Sequence, residues 1–142
     1  MLNKFFILLF AISLPNGALA NNASELYNNE DYDAAYRAAY ADALSGDSES
    51  KFIIGKILID GKGSSKKSIK QGIKFIQDAA DNDYLKAVIF LAKLYEEGKY
   101  ASKNNSRSLK YYEQCERLGG SRECSRKVTK KRIASSGNFS VP

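Results

Sequence analysis

The feature that most constrains this chain is that it repeats itself. SKFIIGKILIDGKG followed by KFIQDAADND is echoed by KAVIFLAKLYEEGK followed by KYYEQCERLGG. Gly55 and Ala92 stand 37 residues apart, as do Gly61 and Gly98. Phe75 falls on Tyr111 or Tyr112 according to a one-residue shift, and Ala79 falls near Cys115. A partial copy, DAAYRAAYADALSGD, precedes both and resembles the second half of a unit. A period of this length marks stacked supersecondary units, none of which buries its own apolar face alone.

Each unit reads as two helices. Residues 48–59 place Phe52, Ile53, Ile54, Ile57 and Leu58 on a helical stripe rather than in strand alternation. Asp60 to Ser65 is loop by composition. Residues 68–80 form the partner helix, carrying Ile69, Ile73, Phe75, Ile76 and Ala79. Residues 84–97 are apolar around most of their girth, which suits the middle of a stack. Residues 106–118 and 122–133 complete the set. The chain holds two prolines, both near its ends, so nothing interrupts long helices. The expected fold is all-α: a short α/α solenoid of antiparallel helix pairs, with two to two-and-a-half repeats.

The first twenty residues read as a leader. Lys4 supplies a positive start, Phe5 to Leu14 an apolar run, and Ala18-Leu19-Ala20 a small-x-small cleavage signal. The run is too short to span a bilayer, which takes about 20 residues. The expected organisation is a signal peptide at 1–20, a flexible segment at 21–30, a repeat domain at 31–133 and a disordered tail at 134–142. Export, to the periplasm or beyond the cell, makes nucleic acid a poor partner.

The chain is basic, with net charge +6 and unevenly distributed. Arg122, Arg126, Lys127, Lys130, Lys131 and Arg132 face only Glu123 between residues 122 and 132. Such a patch can attract anionic lipid or polymer, or it can be the solvated face of a terminal helix. Tyr32, Tyr36 and Tyr40 recur every four residues. They read equally as a binding stripe and as packing on the next helix.

Several chemistries are absent. There is no histidine, so imidazole acid–base work and ordinary zinc sites are excluded. No nucleophile elbow, phosphate loop or facing carboxylate pair is present. Asp78, Asp81 and Asp83 lack the calcium-loop pattern; Asp83 is expected to cap the following helix. The expectation is a non-enzymatic protein without cofactor or metal.

The pattern resembles the Sel-1-like repeat family, relatives of the tetratricopeptide repeat, over residues 31–128. Gly55-Lys56-Ile57-Leu58 and Ala92-Lys93-Leu94-Tyr95 occupy the family's first-helix motif. Gly61-Lys62-Gly63 and Gly98 take its loop, Phe75 and Tyr111 its aromatic position, and Ala79-Ala80 its paired small residues. The loops lack the usual Val and Asp, Gly72 stands where Ala is usual, and Asp83 replaces the closing Gly. The resemblance implies a protein-binding adaptor whose first helices line the contact face. Lys51, Lys56, Lys93 and Glu96 are then contact candidates, flanked by the tyrosine stripe and the basic last helix. Such adaptor roles include control of envelope complexes. The resemblance also implies an alternative, an immunity protein that neutralises a secreted toxin, and the basic last helix leaves another open, an envelope-surface binder.

Cys115 and Cys124 are the only cysteines. They bracket a turn, Leu118-Gly119-Gly120-Ser121, between two expected antiparallel helices. Export favours their oxidation. The resemblance implies a disulfide at this junction, with a spacing here one residue longer than usual.

Overall fold

The computed structural model describes residues 18–137, and among these it contains seven α-helices and no strand. They are α1 (Ala18–Asn28), α2 (Tyr32–Ser45), α3 (Ser48–Asp60), α4 (Ile69–Asp81), α5 (Leu85–Glu97), α6 (Asn105–Arg117) and α7 (Arg122–Ser136). Each packs on its chain neighbour, so α1–α2, α3–α4 and α5–α6 form three antiparallel pairs, and α7 closes the series. No helix among the described residues is long and apolar enough to cross a membrane.

Local chemistry sets the helix limits. Asp31, Asp47 and Asn104 accept the main-chain N–H groups of Ala34, Ser50 and Arg107 at 3.1, 2.7 and 2.9 Å. These bonds satisfy donors that the first turns of α2, α3 and α6 leave free. The two long loops begin alike, because α3 and α5 both end on a left-handed glycine, Gly61 and Gly98.

The core has two parts. Ala23, Ala35, Ala39, Ala43, Ile53, Ile54, Ile57 and Leu58 fill the space among α1, α2 and α3. Ile59, Ile76, Ala79, Ala80, Val88, Leu91, Ala92, Tyr112, Cys115, Cys124 and Val128 fill the larger one among α3 to α7. Helix α3 serves both, which explains apolar residues on more than one of its faces. The fully buried Val88, Leu91 and Ala92 place α5 inside the stack, as its sequence predicts.

At the crossing of α3 and α4 the two backbones approach closely. A Cβ on Gly72 would lie 2.6 Å from the Gly55 carbonyl oxygen, and one on Gly55 would lie 2.8 Å from that of Gly72. Only residues without side chains let the two backbones pass so near.

The structure differs from the sequence expectations at four places. Residues 21–30 are helical as far as Asn28 rather than flexible. Ala23 is fully buried, and Leu26 and Tyr27 pack on the first core, so α1 supplies the missing half of the first repeat. The expected tail begins inside α7, which runs to Ser136, and residues 138–142 lie outside the described part. Of the expected signal peptide, residues 1–17 lie outside the described part, and Ala18 to Ala20 fall in the first turn of α1. Asp83 does not cap α5, whose N-cap is Tyr84. It sits instead at φ 60°, in the left-handed conformation, and its carboxylate accepts Gln114 Nε2 at 2.9 Å. Aspartate tolerates that conformation better than most residues, which is how it stands where the repeat pattern has glycine.

Candidate interaction surface

The first helices of the second and third pairs, α3 and α5, meet through their side chains. Phe52 of α3 meets Phe90 of α5 edge-on, with ring centroids 6.0 Å apart. Lys56 of α3 holds its ammonium 4.9 Å from the Phe90 ring centre and 3.8 Å from Asp60. Tyr100, beyond the Gly98 cap, donates its hydroxyl to Asp60 at 2.8 Å.

These contacts frame a shallow groove of about 210 Å³ lined by Lys56, Phe90, Lys93, Leu94, Glu97, Lys99 and Tyr100. Lys93, Glu97 and Lys99 are exposed at its rim, and Phe90 and Tyr100 are half-buried within it. The groove can grip an extended or helical segment by apolar contact, with lysines placed for carboxylates. It brings together two of the contact residues expected from sequence, Lys56 and Lys93. Lys51, also on α3, is not part of its lining. Phe90, Glu97, Lys99 and Tyr100 were not singled out in the sequence. Phe90 was discoverable, since it lies three residues before Lys93 and so on the same helical face.

Glu96, expected as a partner contact, is used internally. Its carboxylate accepts the Tyr112 hydroxyl at 2.8 Å and Lys127 Nζ at 2.9 Å, and it pairs with Lys131 Nζ at 3.2 Å. Burial pushes the Glu96 carboxyl up, but the bonds from Lys127, Tyr112 and Lys131 outweigh it and hold the group down at about 2. The Tyr112 phenol is raised by burial and by its bond to Glu96. Glu96 therefore anchors α7 against α5.

That anchoring divides the basic patch. Lys127 and Lys131 are spent on Glu96, and Arg132 makes an ion pair with Glu113 at 2.7 Å. Arg122, Arg126 and Lys130 are exposed and make no ion pair among the described residues. Beside them Glu96 and Leu109, with Lys127, Lys130, Lys131 and Ala134 of α7, border a second groove, of about 370 Å³, at the end of the stack.

The tyrosine stripe is divided too. Tyr32 turns to the loop after α3, where Lys62 Nζ donates to its hydroxyl at 2.8 Å and lies 4.2 Å from its ring centre. Asp33 next to it accepts the Ser64 hydroxyl and main-chain N–H, both at 2.7 Å, which holds its carboxyl below the usual range. Tyr36 and Tyr40 stack on each other at 5.8 Å, and only Tyr40 is exposed.

Cys115 and Cys124 form a disulfide with their α-carbons 6.0 Å apart. The turn between them depends on Gly119, at φ 71°, and on Gly120, where a Cβ would collide with the Cys115 sulfur. The extra residue in the cysteine spacing is accommodated there.

This arrangement of helix pairs recurs in solved proteins. One is a Sel1 repeat protein from Oxalobacter formigenes, with TM-score 0.68 and 20% identity over 87% of this chain. The chain has the Sel1-like repeat fold. Another is c5321, a protective antigen of uropathogenic Escherichia coli strains displaying the same fold, with TM-score 0.65 and 18% identity over 89% of the chain. The chain spans half the length of the first protein and 27% of the second. No protein-family model matches it, and no curated protein matches it in sequence. The α3–α5 groove lies where the first helices of two successive pairs of this fold meet.

Proposed function

We propose that this chain is an exported, non-enzymatic Sel1-like adaptor that binds another protein through the α3–α5 groove. The supporting observation is the groove's make-up: Phe90 and Tyr100 supply apolar area, and exposed Lys93 and Lys99 stand at the rim without a carboxylate partner among the described residues. Aromatic floors with charged rims are what protein contacts use for affinity and selectivity. The partner favoured by this chemistry presents carboxylates around an apolar anchor.

The partner class is an envelope protein or, in a narrower form of the same reading, a secreted toxin whose acidic cleft the groove's surroundings would block. A photocrosslinking residue in place of Lys93, compared with one in place of exposed Lys70 on α4, tests the location. Discrete adducts from position 93 and none from position 70 are expected. Equal adducts from both positions, or none, reject the groove.

A second reading rests on Arg122, Arg126 and Lys130, which are exposed and without ion pairs. They suit weak contact with an anionic envelope surface. That contact would fall steeply with salt.

A further inference from the structure

The two ends of the stack carry opposite charge. Between residues 18 and 47, Glu25, Glu30, Asp31, Asp33, Asp42 and Asp47 face Arg37 alone, a net charge of −5. Helix α7 carries six cations against Glu123, a net charge of +5. The residues between these ends are net positive, so α1–α2 is the one acidic part of the described chain.

Each end also leaves apolar surface in solvent. Ile133 of α7 is 64% exposed, and on α2 Leu44 is 66% and Tyr40 47% exposed. Ile133 lies with Ser125, Arg126, Thr129 and Lys130 along one open face of α7. The earlier first helices, α3 and α5, are each followed by a partner helix that covers them; among the described residues α7 is not.

We propose that the open α7 face receives the acidic α1–α2 end of a second copy, so that the repeat stack continues from one chain to the next. Arg126 and Lys130 would meet Glu25 and Glu30, and Ile133 would gain apolar cover. Such a contact joins two different surfaces, so it is head-to-tail and builds rings or open chains rather than a closed symmetric dimer. Net positive charge opposes association of two copies in general, and only an orientation that sets the −5 end against the +5 end offsets it. A membrane could use the same cations, but it would not explain why the complementary charge is gathered on the opposite end of the same molecule.

Sedimentation equilibrium on the protein purified from an exporting host tests this. At about 0.1 M salt the mass should rise with concentration past that of a dimer. At about 1 M salt, where the screening length falls from about 10 Å to about 3 Å, association should weaken at least tenfold. Arg126→Gln/Lys130→Gln and Glu25→Gln/Glu30→Gln should each weaken self-association at least tenfold. Neither pair of residues makes a side-chain hydrogen bond or ion pair among the described residues, and circular dichroism checks that both variants fold. Mixed together, the two variants should give a one-to-one heterodimer and nothing larger, because each retains one competent end. A chain that stays monomeric up to about 1 mM overturns the proposal. So do variants that associate like the parent, and so does a monomer that binds vesicles of anionic phospholipid instead.

Discussion

Ser108 donates its buried hydroxyl to the main-chain carbonyl of Ala92 at 3.0 Å. In the preceding repeat the same crossing is made by Gly72 over Gly55, with no side chain between the backbones. One fold thus solves a single packing problem in two ways. Where a small side chain is allowed, the hydroxyl finds an acceptor; where none is allowed, the helices touch.

Substitution at these two positions should therefore differ in cost. Gly72→Ala adds a methyl against the Gly55 carbonyl and against Ile59, 2.6 Å from each. The gain in helix propensity, about 1 kcal/mol, should be outweighed by an overpacking cost of about 1–3 kcal/mol or more. Ser108→Ala removes one net hydrogen bond, worth about 1 kcal/mol, and leaves Ala92 within its helix. Urea unfolding of both variants checks the order. A stabilised Gly72→Ala would show that the crossing is looser than described.

Glu96 makes stability depend on acid. Its folded carboxyl, held at about 2, lies below the ordinary value of 4.5. Its contribution is thus complete above about pH 4.5 and is lost as pH falls towards 2. Glu96→Gln should cost on the order of 1–3 kcal/mol at neutral pH, and its difference from the parent should vanish near pH 2. Unfolding measured across that range checks both parts. A constant difference at every pH would mean that shape, not charge, holds α7.

The disulfide closes a short loop and ties α7 to α6. Reduction, or Cys115→Ser/Cys124→Ser, should lower stability by about 2–3 kcal/mol. Hydrogen exchange should rise first in α7 and leave the core among α1, α2 and α3 unchanged. Exchange that rises evenly through the chain would contradict a local role.

The helices from α2 to α7 could be read in the sequence because their apolar positions recur at helical spacing and because one repeat restates the other. Helix α1 could not. Its fully buried residue among those described is an alanine, Ala23, preceded by two asparagines, and only packing on α2 and α3 makes the helix part of the fold. Asp83 misled for a similar reason: its residue type suggests a cap, whereas its backbone conformation decides its place.

The candidate surface was less legible than the fold. Lys93 and Lys56 share a groove as their spacing implies. Glu96, three residues after Lys93, turns instead to Tyr112 and α7, because its partners lie 16 and more residues away in sequence. Charge counted along α7 likewise overstates the free basic patch, since Lys127, Lys131 and Arg132 already hold carboxylates. Long-range pairing of this kind leaves no local signature.

The central claim is that the α3–α5 groove binds a protein partner. It is tested most directly by capture from the cell-envelope fraction with tagged chain, comparing the parent with Lys93→Glu/Lys99→Glu and identifying what is held by mass spectrometry. Both substitutions lie on exposed positions, so the fold should be unchanged. The prediction is one stoichiometric partner on the parent and its loss, by at least tenfold, on the variant. A partner retained equally by both, or none on either, would contradict the account.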